Sequence, residues 1–280
     1  MIVDGNNLAM RSFHAAQGKM SAAGADTGAL QLFVNSLSMH VQDEIPTRLV
    51  ICWDAGNSQM RLRLYPEYKA ARRAKGSSDG AEPHHELFEI IKRFLSLAGV
   101  AQWRMAGTEA DDLIAAAWRR HHHTDRMIIL SSDKDLLQLL DANTTQVRFA
   151  TKGSDRWTRD RFIAEKGFRP EQLPLVMALE GDTSDGIPGM RGIGPVKALK
   201  MLVAANWDLD QAMRPYPDQY AIVKTSQALV DLNWAPVEVI DVPEFHPRDR
   251  PDSWRELLAF CDHYELRTIR SRLVAGDLWS

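Results

Sequence analysis

Acidic residues recur in this sequence at places where they could do chemistry together. Asp4 follows the apolar pair Ile2-Val3, and Asp54 follows RLVICW. Glu109, Asp111 and Asp112 lie in GTEADD, Asp133 and Asp135 in SSDKD, and Asp182 and Asp185 in EGDTSDG. Ligands of open parallel sheets sit outside the carboxyl ends of the strands, so acids placed just after several strands point to one shared site. A single such Asp ordinarily caps a turn or a helix. The set is different, because two carboxylates about 4 Å apart repel by roughly 4 kcal/mol at an effective dielectric near 20. Gathering many of them requires bound cations or protonation. No Cys or His accompanies these acids, and all-oxygen ligation suits magnesium or manganese rather than zinc. Two hard divalent ions in one site imply phosphoryl-transfer or phosphodiester chemistry.

Spacing adds local expectations. Asp133 and Asp135 share a face if the chain there is extended, and Asp182 and Asp185 are expected as neighbours on a helical turn. Glu109 and Asp111 diverge on a regular helix, so both point inward only if the chain enters that helix in a non-helical conformation.

The most patterned stretch is GDTSDGIPGMRGIGPVKA, residues 181–198. Gly189, Gly192, Ile193 and Gly194 mark a tight turn, with Pro195 as the first residue of a helix. Glycines let the backbone approach a ligand, and the helix offers free N–H groups to an anion. Beside Asp182 and Asp185, this reads as a grip on a DNA backbone, with Arg191 and Lys197 as phosphate contacts.

The elements that must position these groups follow from pattern and composition. With 280 residues, 45% hydrophobic and 25% charged, the chain can bury a sizeable core, which excludes intrinsic disorder. A formal charge of -3 excludes a uniformly basic nucleic-acid coat, although a basic rim around the acidic centre would attract a polyanion. Two cysteines without metal-ligand spacing exclude a disulfide framework and a zinc site. No apolar run reaches the roughly 18 residues of a membrane span, and the N-terminus turns polar too early for a signal peptide, which places the protein in the cytoplasm. Candidate strands at 2–3, 48–53, 100–104, 126–130 and 146–149 alternate with helical stretches, predicting an α/β fold with a central, mainly parallel sheet flanked by helices. Residues 70–83, poor in large apolar side chains, are expected to be exposed and mobile. After about residue 170 helical patterns take over, with one extended stretch at 236–242. The expected organisation is an α/β core over 1–169 that carries most of the acids, followed by a helical region over 170–280 that carries the glycine turn.

These blocks, in this order, resemble the 5′→3′ exonuclease and flap endonuclease family, which includes bacteriophage flap endonucleases and the N-terminal nuclease domain of bacterial DNA polymerase I. The resemblance runs through VDGNNLAMRSFHA, with Asp4, Gly5 and Arg11. It continues through WDAGNSQMRLRLYPEYKAARR, with Asp54, Arg61, Tyr68, Lys69 and Arg72, and through the later acidic and glycine blocks. It implies a structure-specific nuclease acting on DNA with a 5′ flap, a 5′ overhang or a nick or gap, as a monomer. By resemblance, Asp4, Asp54, Glu109, Asp111, Asp133, Asp135 and Asp182 are ligands of two magnesium ions, with manganese able to substitute, and Asp112 and Asp185 stand in an outer shell. Lys69 is expected at the scissile phosphate, Arg72 at a flanking phosphate and Tyr68 stacked on a terminal base. Arg11 and Arg61 are expected at the DNA. The glycine turn resembles the family's helix–three-turn–helix, about residues 181–205, which grips duplex and can hold potassium on its carbonyls. The resemblance makes residues 1–169 a metal-dependent nuclease core with an arch segment at about 70–98, and 170–280 a DNA-binding region. Gly186 stands where many relatives carry Asn, and the arch is short, which leaves the balance of endonuclease and exonuclease activity open. The chain ends without a polymerase domain, so a free-standing nuclease is expected.

Three alternatives compete. A PIN-like ribonuclease would share the acidic α/β core but lack the glycine turn. A non-catalytic DNA-junction binding protein would carry an incomplete acidic set. A phosphoaspartyl receiver would need a DxD pair that Val3-Asp4-Gly5-Asn6 lacks.

Overall fold

Short apolar runs pair side by side, as the alternation of strand and helix patterns requires. β1 (Ile2–Asp4), β2 (Val50–Trp53), β3 (Ala101–Arg104), β4 (Met127–Leu130) and β5 (Thr144–Phe149) are parallel, and β6 (Ser154–Trp157) adds an antiparallel edge. Spatial order is β3-β2-β1-β4-β5-β6. The computed structural model describes residues 1–16, 27–76, 84–149, 154–234, 237–238 and 241–280.

Strands β1, β2 and β4 are buried along their whole length, so their pleat feeds two cores. Val3, Ile51, Ile128 and Leu130 join a core built with α1 (Gly5–Ala16), α2 (Thr27–Glu44) and α5 (His84–Leu97). Ile2, Val50, Cys52, Met127 and Ile129 join Leu113 and Ile114 of α6 (Ala110–His121) on the opposite side. Each such side chain contributes about 1.5–3 kcal/mol of transfer free energy. The chain runs outward from β1 through β2 to β3, then returns past β1 to β4. That reversal opens a crevice at the carboxyl ends of β1 and β4, the place where doubly wound sheets bind ligands.

The remaining helices extend the sheet's carboxyl end. Short α3 (Gln59–Leu64) and α4 (Ala70–Gly76) follow β2. A third core joins α7 (Arg159–Lys166), α8 (Leu173–Glu180), α9 (Pro195–Ala204), α10 (Leu209–Met213) and α11 (Pro217–Val230) through Phe162, Leu179, Leu202, Met213 and Val223. Among the described residues, no helix is long and apolar enough to cross a membrane.

Residues 70–74 are mostly exposed, as expected, and 70–76 form a helix, because Ala-Ala-Arg-Arg-Ala-Lys is a run of strong helix formers; residues 77–83 lie outside the described residues. Three expectations need correction. Residues 237, 238, 241 and 242 form no strand, and the rest of the expected stretch at 236–242 lies outside the description. β6 is an additional strand, without an apolar signal because, of Asp155, Arg156 and Trp157, Trp157 alone is turned into a core. The last two helices, α12 (Trp254–His263) and α13 (Arg267–Ala275), return to the sheet rather than joining the helical region. Leu257, Cys261, Ile269 and Leu273 share the core of Val3 and Ile51, so 170–280 is not one separate helical unit.

Candidate metal centre

Each acidic side chain is aimed by its own local structure. Asp4 ends β1 and is almost enclosed; its carboxylate accepts from Asn7 N–H and Ser131 Oγ, both at 2.9 Å. Asp54, one residue past β2, accepts from Ala110 N–H at 2.7 Å, the first backbone donor of α6. Glu109 is the N-cap of α6 with φ -92° and ψ 158°, so the chain does enter the helix extended and Glu109 turns inward with Asp111. Asp133 Oδ1 accepts from Asp135 N–H at 2.9 Å, and Asp135 opens a single 3-10 turn, Asp135–Leu139, rather than continuing a strand. Asp182 and Asp185 sit on a non-helical turn instead of the expected helical one. Asp182 Oδ1 accepts from Ser184 N–H at 2.8 Å and Asp185 N–H at 3.4 Å, and Asp182 and Ile187 exchange backbone hydrogen bonds.

The electrostatics show that these groups share one site. Burial pushes the Asp4 carboxyl up to about 7, with Asp54 and Asp133 adding repulsion against the Asn7 and Ser131 hydrogen bonds. Asp54 rises to about 6, by burial and then by Asp111 and Glu109 against the Ala110 hydrogen bond. Asp135 rises to about 7, by burial and then by Asp133, Asp182 and Asp111 against Lys134. Asp133 and Asp185 also rise, chiefly through burial. Asp182 alone falls below its ordinary value: burial opposes this, but Ser184 and Lys134 together outweigh it. Asp135 Oδ1 is buried without any hydrogen-bond partner. An orphaned carboxylate oxygen among mutually repelling carboxylates is the donor set that a hard divalent cation satisfies.

Cations rim the same space. A cavity of about 160 Å³ is lined by Asp111, Asp133, Asp135, Lys69, Arg72 and Lys134, among others. Lys69 Nζ lies 2.8 Å from Glu109 Oε1 and 3.9 Å from Asp185 Oδ2. Arg72 lies 3.0 Å from Asp185, and Lys134 lies 3.5 Å from Asp182. Lys69 has a left-handed backbone, φ 53°, held by donation of its N–H to Asp185 O at 2.7 Å. Burial opposes its charge, yet Glu109 and Asp185 outweigh that and raise its pKa.

The glycine turn stands next to this cavity. Gly181 and Gly189 back onto each other with φ 76° and 58°, and a Cβ on Gly189 would lie 2.4 Å from Gly181 N. Gly192 and Gly194 face open space, with no atom within 4 Å of an added Cβ. Gly194 N-caps α9, Pro195 is its first residue, and Arg191 and Lys197 are exposed beside them.

The N-terminal resolvase-like domain of 5′-3′ exonuclease matches residues 1–167. A 5′-3′ exonuclease of Aquifex aeolicus is 31% identical over 225 residues, covering 77% of this chain and 75% of that protein. The chain belongs to the 5′→3′ exonuclease family. DNA polymerase I of Mycobacterium tuberculosis is 34% identical over 208 residues, 72% of this chain but 22% of the polymerase, so the chain spans under a quarter of that relative's length. The fold is also that of bacteriophage T5 D15 protein, co-crystallised with metal ions, at TM-score 0.67, 19% identity and coverage of 99% of this chain and 98% of that one. Flap endonuclease-1 from Methanococcus jannaschii gives TM-score 0.67 and 14% identity, covering 100% of this chain and 91% of that one.

Within this family member, three expected residues stand elsewhere than their sequence reading put them. Arg61, expected at the DNA, is 2% exposed beneath the acids. Its guanidinium donates to Glu109 at 2.9 Å and to Asp112 at 2.9 and 3.1 Å, and its Nε to Leu229 O at 2.9 Å. Tyr68, expected against a base, is 3% exposed, and its hydroxyl donates to Glu109 Oε2 at 2.8 Å. Gly189 is buried, and its N–H donates to Ser226 Oγ at 3.2 Å. The carboxylate oxygens of Glu109, Asp111 and Asp112 come within 4.8 Å of one another, but Arg61 neutralises that corner. Asp112 is therefore an anchor for Arg61; Asp111, Asp133, Asp135, Asp182 and Asp185 line the cavity, and Asp4 and Asp54 stand close enough behind it to feel the repulsion of Asp133 and Asp111. Arg11 lies on α1 with its guanidinium 5.2 Å from the Phe149 ring centroid.

Sequence reasoning missed the neutral supports. Ser131 joins Asp4 to the loop after β4, and Gln146 binds the carbonyls of Ser131 and Asp133 at 2.9 and 2.6 Å. Lys134, at the mouth, was visible between two aspartates but carried no expectation of its own.

Proposed function

We propose that the chain is a structure-specific 5′ nuclease that hydrolyses DNA phosphodiesters at 5′ flaps and 5′ ends using two magnesium ions, with manganese able to replace them. The observation that carries this reading is the gathering of seven carboxylates, from Asp4 round to Asp185, about the switch-point crevice between Lys69 and the glycine turn. Bound magnesium would supply Lewis acidity, activating water and offsetting charge on the phosphate. Asp4, Asp54, Asp111, Asp133, Asp135 and Asp182 would hold the ions, with Asp185 acting through water or through Lys69. Lys69 would meet the scissile phosphate as it leaves Glu109, and Arg72 a neighbouring phosphate. Glu109 and Asp112, with Arg61 and Tyr68, form the scaffold behind them.

The duplex would be gripped at Gly192, Ile193, Gly194, Arg191 and Lys197, where the backbone is open and α9 presents free N–H groups, with turn carbonyls available to potassium. In this reading residues 1–169 supply the cutting core, the segment from α8 to α11 supplies the grip, and the protein acts as a cytoplasmic monomer.

The test is a doubly labelled 5′-flap duplex incubated with the protein in magnesium or EDTA, beside a matched 3′ flap and a single-stranded RNA. Magnesium-dependent cutting near the 5′-flap junction, with the 3′ flap spared, is expected. Tight binding without cutting would instead indicate a junction-binding protein, and preference for RNA a PIN-like ribonuclease.

A further inference from the structure

The 3-10 turn that begins at Asp135 contains a buried amide that the proposed chemistry does not use. Gln138 is 3% exposed. Its Nε2 donates to Asp135 O at 2.7 Å and to Val230 O at 3.1 Å, and its Oε1 accepts from Leu232 N–H at 2.9 Å. A glutamine amide buried at an acidic centre with every bond directed at backbone has no contact with substrate; it holds one segment of chain against another.

The segment it holds is the end of α11. The last carbonyls of a helix have no partner within it, and here Leu229 O accepts from Arg61 Nε while Val230 O accepts from Gln138. Arg61 in turn carries Glu109 and Asp112, so two acid-bearing elements are fastened to one helix end. The same helix braces the glycine turn further back. Ser226 Oγ accepts Gly189 N–H at 3.2 Å, and Gln219 Oε1 accepts Arg191 N–H at 2.8 Å. Residues 219, 226 and 230 fall on one face of a helix of 3.6 residues per turn. Tyr68, Met177, Ile187, Leu229 and Val230 pack together where these elements meet.

We infer that Gln138 is a positioning residue for the metal site: it fixes the Asp135 backbone to the C-terminal end of α11, the helix that also braces the glycine turn. This rests on the nuclease reading above. Groups that orient metal ligands without touching the metal change affinity or activity by about 10- to 100-fold when lost. The amide could not be replaced by an apolar side chain without releasing Asp135, and strain at the turn would reach Asp135 through a single helix.

Gln138→Met keeps the shape and removes all three hydrogen bonds. The full-length variant is compared with wild type by thermal melting, by Mn²⁺ titration followed by electron paramagnetic resonance without DNA, and by kcat and KM on a 5′-flap substrate. A folded variant is expected whose Mn²⁺ binding weakens and whose kcat falls, each by about 10-fold, with KM within about twofold. A lower melting temperature with unchanged kcat and Mn²⁺ affinity would reduce Gln138 to a structural staple and overturn the inference. Should Gln138→Met not fold, Gln138→Asn keeps the amide but withdraws it by one methylene, and carries the same expected split between kcat and KM. Adding Ser226→Ala tests the helix as the connection: effects on kcat that multiply independently would overturn that part, and a departure from independence is expected. A wild type without magnesium-dependent flap cutting would fail the nuclease reading, whereas an active wild type indistinguishable from Gln138→Met would fail this inference alone.

Discussion

Crowded, buried carboxylates should make the stability of the metal-free protein fall as pH rises. Asp4 is pushed from an ordinary 3.8 to about 7, by burial and then by Asp54 and Asp133 against its hydrogen bonds. Below about pH 4 the group is protonated in both folded and unfolded chains, and the shift contributes nothing. Between about 4 and 7 the unfolded chain has released a proton that the folded chain still holds, so raising the pH favours unfolding, and above about 7 the whole penalty is present. At 1.36 kcal/mol per unit, the rise amounts to about 4 kcal/mol for Asp4 alone. At roughly 2 °C per kcal/mol for a chain of this size, that is a fall in Tm of about 8 °C. Asp54 and Asp135 act in the same direction but share the same repulsions, so their effects do not simply add. Magnesium requires the ionised carboxylates and opposes the trend, adding about 2.7 kcal/mol at a hundredfold excess over its Kd. The assay is calorimetry in EDTA and in excess magnesium at about pH 5.5 and about pH 8, with Asp4→Asn as the control that removes the charge. Wild type in EDTA should melt lower at the higher pH, magnesium should recover more there, and Asp4→Asn should flatten the EDTA trend. An EDTA Tm that is level or rises with pH, or a fall that Asp4→Asn leaves intact, would refute the reasoning.

Asp111→Ala or Asp135→Ala should abolish cleavage while leaving flap-DNA affinity within about tenfold, because affinity comes largely from phosphate contacts; wild-type turnover by either variant would sink the two-metal assignment. Lys197→Ala should weaken duplex binding and lower the slope of log K against log salt by about one, read by anisotropy across a salt series, and an unchanged slope would remove it from the backbone contacts. Arg61→Ala should destabilise by about 3–5 kcal/mol in denaturant titration, because Glu109 and Asp112 lose their buried partner. A stable Arg61→Ala protein with only weakened DNA binding would restore Arg61 to the surface role its sequence context suggested. Gly189→Ala should lower Tm, since its Cβ would meet Gly181 N at 2.4 Å from a left-handed backbone.

The parallel sheet and its acidic crevice were legible because they depend on local signals: short apolar runs, and an Asp or Glu at or within five residues of the end of each of β1 to β4. The extended conformation at Glu109, demanded by geometry alone, is present. What the sequence hid was direction. Arg61, Tyr68, Lys69 and Arg72 lie within twelve residues of each other and share one basic, aromatic character, yet two are buried behind the acids and two line the mouth. That distinction is set by α3 and by the left-handed backbone at Lys69, which no periodicity announces. β6 lacked an apolar pattern because it is an edge strand, and the return of α12 and α13 to the sheet depends on long-range packing. Gln138 and Gln146 could not be singled out, since a glutamine bonded to backbone has the same one-dimensional signature as one in water.

The pairing of cations at the mouth has a consequence for what the cavity will accept. Lys69, Arg72 and Lys134 are each already matched by Glu109, Asp185 or Asp182. In the proposed nuclease, an isolated phosphate arriving there would displace one carboxylate to gain one cation, a nearly even exchange. A strand would present several phosphates at the spacing of its backbone and displace the carboxylates together, with the glycine turn as a second point of contact. Such a self-neutralised mouth would discriminate by length rather than by charge, favouring a polymer over free phosphate and small nucleotides.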